Sequence, residues 1–220
     1  MVTHDSPTVP GETPHERRLA VITAGHQAGE HNYELLVTGL SDADPHVRAS
    51  ALRGLEKHSR LETASLVSAL HDADPGVRQD AARITAERSA PGESEVLETL
   101  RLLLGDSIPL CVIEAIRALS ASSDLESVPL LMELARTHAD QLVVEEATAA
   151  LGELGDERGL PVIVEMAEGK PALRRRVVAA LGAFQGVKVE ALLDQLGEDR
   201  DWQVRQAVAM LRKEPDDFFD

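Results

Sequence analysis

One pattern recurs along this chain at a steady interval. SDADPHVRASALRGL at residues 41–55 returns as HDADPGVRQDAARIT at 71–85 and as DRDWQVRQAVAML from Asp199. Weaker copies start at Gly105 (GDSIPLCVIEAIRAL), Ala139 (ADQLVVEEATAALGEL) and Gly169 (GKPALRRRVVAALGAF). The residue held by Asp44 aligns with Asp74, Ile108, Asp140, Lys170 and Asp201, at spacings of 30, 34, 32, 30 and 31. Six units at this period specify an array of small supersecondary units, each too thin to bury its apolar face alone.

Each unit reads as two helices. Asp44 can cap the second helix, and Pro45 suits its first turn, where an N–H would be unpaired anyway. Val47, Ala51 and Leu55 then follow at i, i+4 and i+8, with Leu52 beside them, which makes one apolar helical stripe. The first helices are shorter and Leu-rich: YELLVTGL, ETASLVSAL, EVLETLRLLL, ESVPLLMELA, RGLPVIVEMA and KVEALLDQL. No alternating strand bounded by hairpin signals is present, so an all-α fold is expected.

The ends complete the array. Thr13-Pro14-His15-Glu16 is a capping box with proline in the first helical position, so a helix should begin there, run to about His26 and cap the array as a half-repeat. Residues 1–12 are expected to form a disordered tail and residues 13–213 one continuous array. The acidic tail, 214–220, carries Phe218-Phe219, either to fold back over the final repeat or to serve as a docking motif.

Aromatic residues make up only 2% of the chain: Tyr33, Phe184, Trp202, Phe218 and Phe219. Such a core must be built from closely spaced Ala, Leu and Val, as stacked helix pairs require. The 22 basic residues against 38 acidic ones leave a formal charge of −16. That balance opposes binding to nucleic acid and to anionic membranes, and favours solubility. Cys111 is the single cysteine, which excludes a disulfide framework and fits a reducing compartment. The N-terminus lacks the basic and apolar regions of a secretory signal, and no run approaches the roughly 20 apolar residues of a membrane span. A cytoplasmic, monomeric protein is expected.

The motif D-x-D-P-x-V-R-x-x-A-x-x-x-L resembles the HEAT-like repeat first associated with bilin (phycobiliprotein) lyases, and the resemblance covers roughly residues 14–213. It implies a right-handed α-α superhelix of six helix pairs plus an N-terminal capping helix, with the second helices lining a concave face. It also implies a ladder of Asp and Arg side chains that links neighbouring repeats. The arginine position holds Arg48, Arg78, Val112, Val144, Arg174 and Arg205. The matching acid position holds Asp42, Asp72, Asp106, His138, Glu168 and Asp199, so every unit with the arginine keeps an acid. The expected structural ladder is therefore Asp42, Arg48, Asp72, Arg78, Glu168, Arg174, Asp199 and Arg205.

Enzyme chemistry finds little support in the residues. HEAT-like di-iron proteins resembling deoxyhypusine hydroxylase carry several His-Glu pairs, whereas this chain has only His15-Glu16, in a helix cap. HEAT-like DNA glycosylases need a basic, aromatic groove, against which the charge and the lone Trp202 speak. Trp202 takes the slot of Pro45 and is expected to pack under the C-terminal cap. Cys111 takes the slot of Val47, so it should be buried and inert. No catalytic residue, metal site or cofactor is expected. The favoured function is a non-enzymatic scaffold for another protein; the alternatives are a bilin lyase-like activity or an oxidoreductase resembling deoxyhypusine hydroxylase.

With the apolar stripe inward, the positions of 46, 49, 50 and 53 face out, at 100° per residue. Read through the array, they give an arginine stripe (Arg53, Arg83, Arg117) beside an acidic one (Asp80, Glu114, Glu146). Leu110, Ile113 and Leu142 interrupt the polar lining near its middle. An apolar centre with a charged rim suits a protein partner, so Arg53, Arg83, Leu110, Ile113, Glu114, Arg117, Leu142 and Glu146 are the expected contact residues.

Overall fold

The computed structural model describes residues 8–88 and 93–213, and these are all helix, turn and loop. Within the span expected to form one array, the backbone groups into two compact units, Met1–Leu103 and Leu104–Asp220. The first holds α1 (Pro14–Ala24), α2 (Glu30–Gly39), α3 (Pro45–Lys57), α4 (Thr63–Leu70), α5 (Pro75–Glu87) and α6 (Ser94–Leu103). The second holds α7 (Pro109–Ala121), α8 (Val128–Thr137), α9 (Gln141–Leu154), α10 (Leu160–Glu165), α11 (Pro171–Leu181), α12 (Val187–Gly197) and α13 (Trp202–Leu211). Of the expected N-terminal tail, residues 1–7 lie outside the described residues, while Val9 is buried. Residues 214–220 also lie outside them.

Local chemistry starts the helices where the repeat predicts. The carboxylates of Asp44, Asp74 and Asp201 each accept the N–H groups two and three residues on, and Asp140 accepts that of Leu142. Prolines fill the first turn of α3, α5, α7 and α11. Thr13 and Glu16 form the capping box of α1. Second helices pack on second helices: α1 on α3 and α3 on α5 in the first unit, then α7 on α9, α9 on α11 and α11 on α13 in the second.

The apolar stripe forms the core. Val47, Ala51, Leu52 and Leu55 are fully or almost fully buried, and Cys111 is buried in the slot of Val47. Small residues let helices approach where rings would hold them apart. The closest case is Gly152 of α9, where a β-carbon would lie 2.4 Å from Ala180 Cα of α11.

Candidate interaction site

Two layers of charged residues join the second helices within each unit. In the inner layer, an arginine fork grips both oxygens of an aspartate. Arg17 donates through Nε and Nη2 to Asp42 at 2.8 and 3.0 Å. Arg48 does the same to Asp72 at 2.8 and 2.6 Å, and Arg174 to Asp199 at 2.7 and 2.8 Å. The remaining nitrogen, Nη1, ties the arginine to its own unit: Arg48 donates to the carbonyls of Asp42 and Ala43, and Arg174 to that of Gly169. Arg78 and Arg205 make the same Nη1 bonds, to Asp72 and Ala73 and to Asp199 and Arg200. Each acid also accepts the N–H of the capping residue two positions on, at 2.7 to 2.8 Å.

Each of these rungs runs from one repeat to the acid of the following repeat, not to the acid of its own. This direction explains the departures in the middle. Val112 and His138 are the two ends of one rung, so arginine and acid are lost together. His138 keeps the backbone half of the job, accepting the N–H of Asp140 through Nδ1 at 3.0 Å. Val144 and Glu168 are the ends of the next rung. Because Val144 offers no guanidinium, Glu168 is exposed and acts on Arg174 through space, so its expected ladder role is corrected. Arg17 is a rung that the motif search missed. Aligning Thr13-Pro14 with Asp44-Pro45 places Arg17 on Arg48, and that register was the available signal.

The forks stabilise the ionised carboxylates. The Arg17 bond holds Asp42 below its ordinary value of 3.8, and the Arg174 bond does the same for Asp199. At Asp72 burial pushes upward, but the bonds from Arg48 and the Asp74 N–H outweigh it and the net direction is down. Groups with depressed folded pKa values contribute stability above the unfolded value, and that contribution is lost as pH falls through the folded one. Thermal melts should therefore be flat at pH values well above 3.8 and drop steeply below it; a melting temperature unchanged down to pH 2.5 would exclude the ladder as a source of stability.

The outer layer lies where the partner surface is expected. On α7, Leu110, Glu114 and Arg117 share one face, as do Leu142 and Glu146 on α9. Arg117 donates through Nε to Glu146 at 2.7 Å and through Nη1 to Glu114 at 3.3 Å. Leu110 and Leu142 are 53% and 59% exposed beside this bridge. Ile113 departs from the expectation and is only 6% exposed. Ala49 in the equivalent slot is buried too, because stacked second helices cover that position.

In the first unit Arg53 pairs with Asp80 across α3 and α5, and Arg83 holds the other oxygen of Asp80 at 2.8 Å and Glu87 at 2.9 Å. The arginine stripe is thus paired with the acidic stripe beside it. Trp202 is 61% exposed, which corrects its expected burial under a cap: it stands at the first turn of α13 with no described element over it. Among the described residues no group of three or more His, Cys, Asp or Glu is placed to hold a metal ion, and no helix is long and apolar enough to cross a membrane.

Comparison with known proteins agrees with this architecture. An engineered protein matches with 22% identity and a TM-score of 0.62, over 82% of this chain and 94% of its own. A designed armadillo repeat protein in complex with the peptide (KR)4 matches with 18% identity and a TM-score of 0.61, over 80% and 96%. The complex of CpcE and CpcF of phycocyanin lyase from Nostoc sp. PCC7120 matches with 18% identity and a TM-score of 0.51, over 96% and 98%. No curated protein sequence matches. At these identities the likeness concerns the fold, an armadillo- and HEAT-type helical solenoid. The sequence pattern of HEAT repeats matches residues 63–152 and 136–212, more than half of the chain. The protein belongs to the HEAT-repeat family.

Proposed function

We propose that this chain is a non-enzymatic protein-binding scaffold, acting as a cytoplasmic monomer, whose partner docks on the second-helix face. In the second unit that face has Leu110 and Leu142 at its centre and Glu114, Arg117 and Glu146 around it. The observation that carries the reading is the pair of half-exposed leucines at matching positions on adjacent helices. Two large apolar side chains held side by side in water, rimmed by charge, suit a desolvated interface core. The acidic balance of the chain favours a partner with basic residues around an apolar anchor. The designed armadillo protein bound to (KR)4 supports such a partner for this kind of surface.

Leu110→Glu combined with Leu142→Glu tests the site. Both side chains are exposed, so helicity and melting temperature should be retained. A partner captured by the wild-type chain should bind the double variant at least about 10-fold more weakly, a loss of about 1.4 kcal/mol. Undiminished capture of every partner by a folded variant would rule this face out.

A further inference from the structure

The first unit has a patch whose charge is opposite to that of the whole chain. On the face that the second helices share, α1 presents positions 15, 18, 19, 22 and 26, in register with 46, 49, 50, 53 and 57 of α3. These ten positions hold no carboxylate, and six hold Arg, Lys or His, although acids outnumber bases by 38 to 22 in the chain. Helices α1 and α3 pack on each other, so the two rows stand side by side.

The cations gather around one buried hydroxyl. Ser50, only 5% exposed, donates to the His46 carbonyl at 2.7 Å, which turns its lone pairs towards Arg18 Nε and Arg53 Nη2, each at 3.4 Å. Further along, Lys57 Nζ lies 2.8 Å from His26 Nδ1. An ammonium can only donate, so Nδ1 accepts and Nε2 of His26 holds the ring proton as a further donor. These groups border a cavity of about 240 Å³, lined by Ile22, His26, Ser50, Arg53 and Lys57 with Gly25 and Gly54. Among the described residues Arg18 and Lys57 pair with no carboxylate, and Arg53 shares Asp80 with Arg83. A hydroxyl at this range is a weak acceptor for two guanidinium groups; a carboxylate among the same donors makes shorter bonds, roughly twice as strong.

The surroundings indicate what brings that carboxylate. The cavity is below the roughly 300 Å³ at which pockets for drug-sized ligands begin, and it suits a single acidic side chain. Beside it, Leu19 and Ile22 are 57% and 37% exposed, aliphatic rather than aromatic, so the patch offers no platform for stacked bases. A long polyanion would also be repelled by the rest of a chain of charge −16, whereas a lone acid flanked by apolar residues meets only the patch.

We infer that the α1–α3 face is a docking site for an acidic segment of a partner polypeptide, one carboxylate entering the cavity at Arg53, Lys57 and His26 while a neighbouring aliphatic side chain covers Leu19 and Ile22. Arg18 adds to the positive field around Ser50. This site is independent of the leucine pair in the second unit and has the opposite charge preference.

A peptide of four Glu-Leu repeats, blocked at both ends, is the probe. Added to the isotope-labelled full chain, it should shift the amide resonances of Gly25, Ser50 and Gly54, and its affinity should fall as salt rises. Arg18→Glu with Lys57→Glu should weaken binding at least about 10-fold. Both side chains are exposed, so helicity should be retained, and Arg18→Gln with Lys57→Gln should weaken binding by a smaller factor. Arg176→Glu with Lys188→Glu removes two exposed cations of the second unit and makes the same change in net charge. That control should leave the affinity within about 2-fold, because screening confines the effect to local charges. An equal loss in the control would reduce the effect to overall charge and overturn the site. So would an absence of shifts at about millimolar peptide, or equal binding of a peptide of four Lys-Leu repeats. Tighter binding of a single-stranded oligonucleotide of the same charge would overturn the assignment to a polypeptide.

Discussion

Arg174→Ala should lower the stability of the second unit by about 2–4 kcal/mol, between the cost of breaking a buried pair and that of an exposed one, and close to the former. The arginine and aspartate side chains of this rung are only 8% and 11% exposed. The fork makes two short bonds to Asp199 and a third to the Gly169 carbonyl. Removing the guanidinium leaves a half-desolvated carboxylate and a carbonyl without their donor, and that loss dominates the missing attraction itself. Arg83→Ala is the contrast. Its pairs with Asp80 and Glu87 are on the surface, so the change should be about 0–1 kcal/mol. The chain also contains its own rescue. Arg174→Val combined with Asp199→His recreates the pair found at Val112 and His138, where the imidazole keeps the capping bond. The double variant should be more stable than Arg174→Ala alone. Urea midpoints measure all three, and equal midpoints for Arg174→Ala and wild type would remove the ladder from the energetics of the fold.

Gly152→Ala should destabilise by about 2 kcal/mol, although alanine is the better helix former by about 1 kcal/mol. The added β-carbon would sit 2.4 Å from the Ala180 Cα and 2.5 Å from its Cβ, and a backbone cannot swing aside as a long side chain can. Helices α9 and α11, which pack on each other, would have to separate, loosening the buried core that they share. Gly197→Ala, at the end of α12, is the control: its nearest neighbour would be Val208 Cγ1 at 3.8 Å, an ordinary contact. That change should leave stability unaltered or raise it by less than about 1 kcal/mol. A higher urea midpoint for Gly152→Ala than for wild type would contradict the close approach of the two helices.

Which parts of this structure are legible in the sequence follows from how far apart the deciding residues lie. Asp44-Pro45 starts a helix through bonds made within three residues, and Val47, Ala51 and Leu55 mark its buried side through rotation alone. Those features, recurring in whole or in part through six units, specify an all-helical array, and the low aromatic content states how thin its layers are. The capping box at Thr13 and the burial of Cys111 belong to the same class. A less regular signal is already harder to read. Ser59, Ser123 and Gly155 hold equivalent positions after α3, α7 and α9, all with left-handed backbone, and only the glycine announces it.

What a side chain meets from the neighbouring helix is a different matter, because periodicity names a face but not its cover. Ile113 and Leu110 look alike in sequence, yet stacking of α7 on α9 buries the first and leaves the second in water. Arg53, Arg83 and Arg117 align as a stripe beside the acidic one; Arg83 reaches Asp80 within its own helix, whereas tertiary packing brings Asp80 to Arg53 and Glu146 to Arg117. Trp202 stands in the open because no described element lies beyond α13. The sequence by itself determined the repeat, the helix starts, the apolar stripe and the residue types of the ladder, since each is set by interactions within a turn or two of chain. Only the tertiary structure decided that a rung runs to the following repeat, that Glu168 stands outside the ladder and that one leucine pair stays exposed. Those outcomes depend on side chains some 24 to 32 residues apart in the chain, brought together by helix packing.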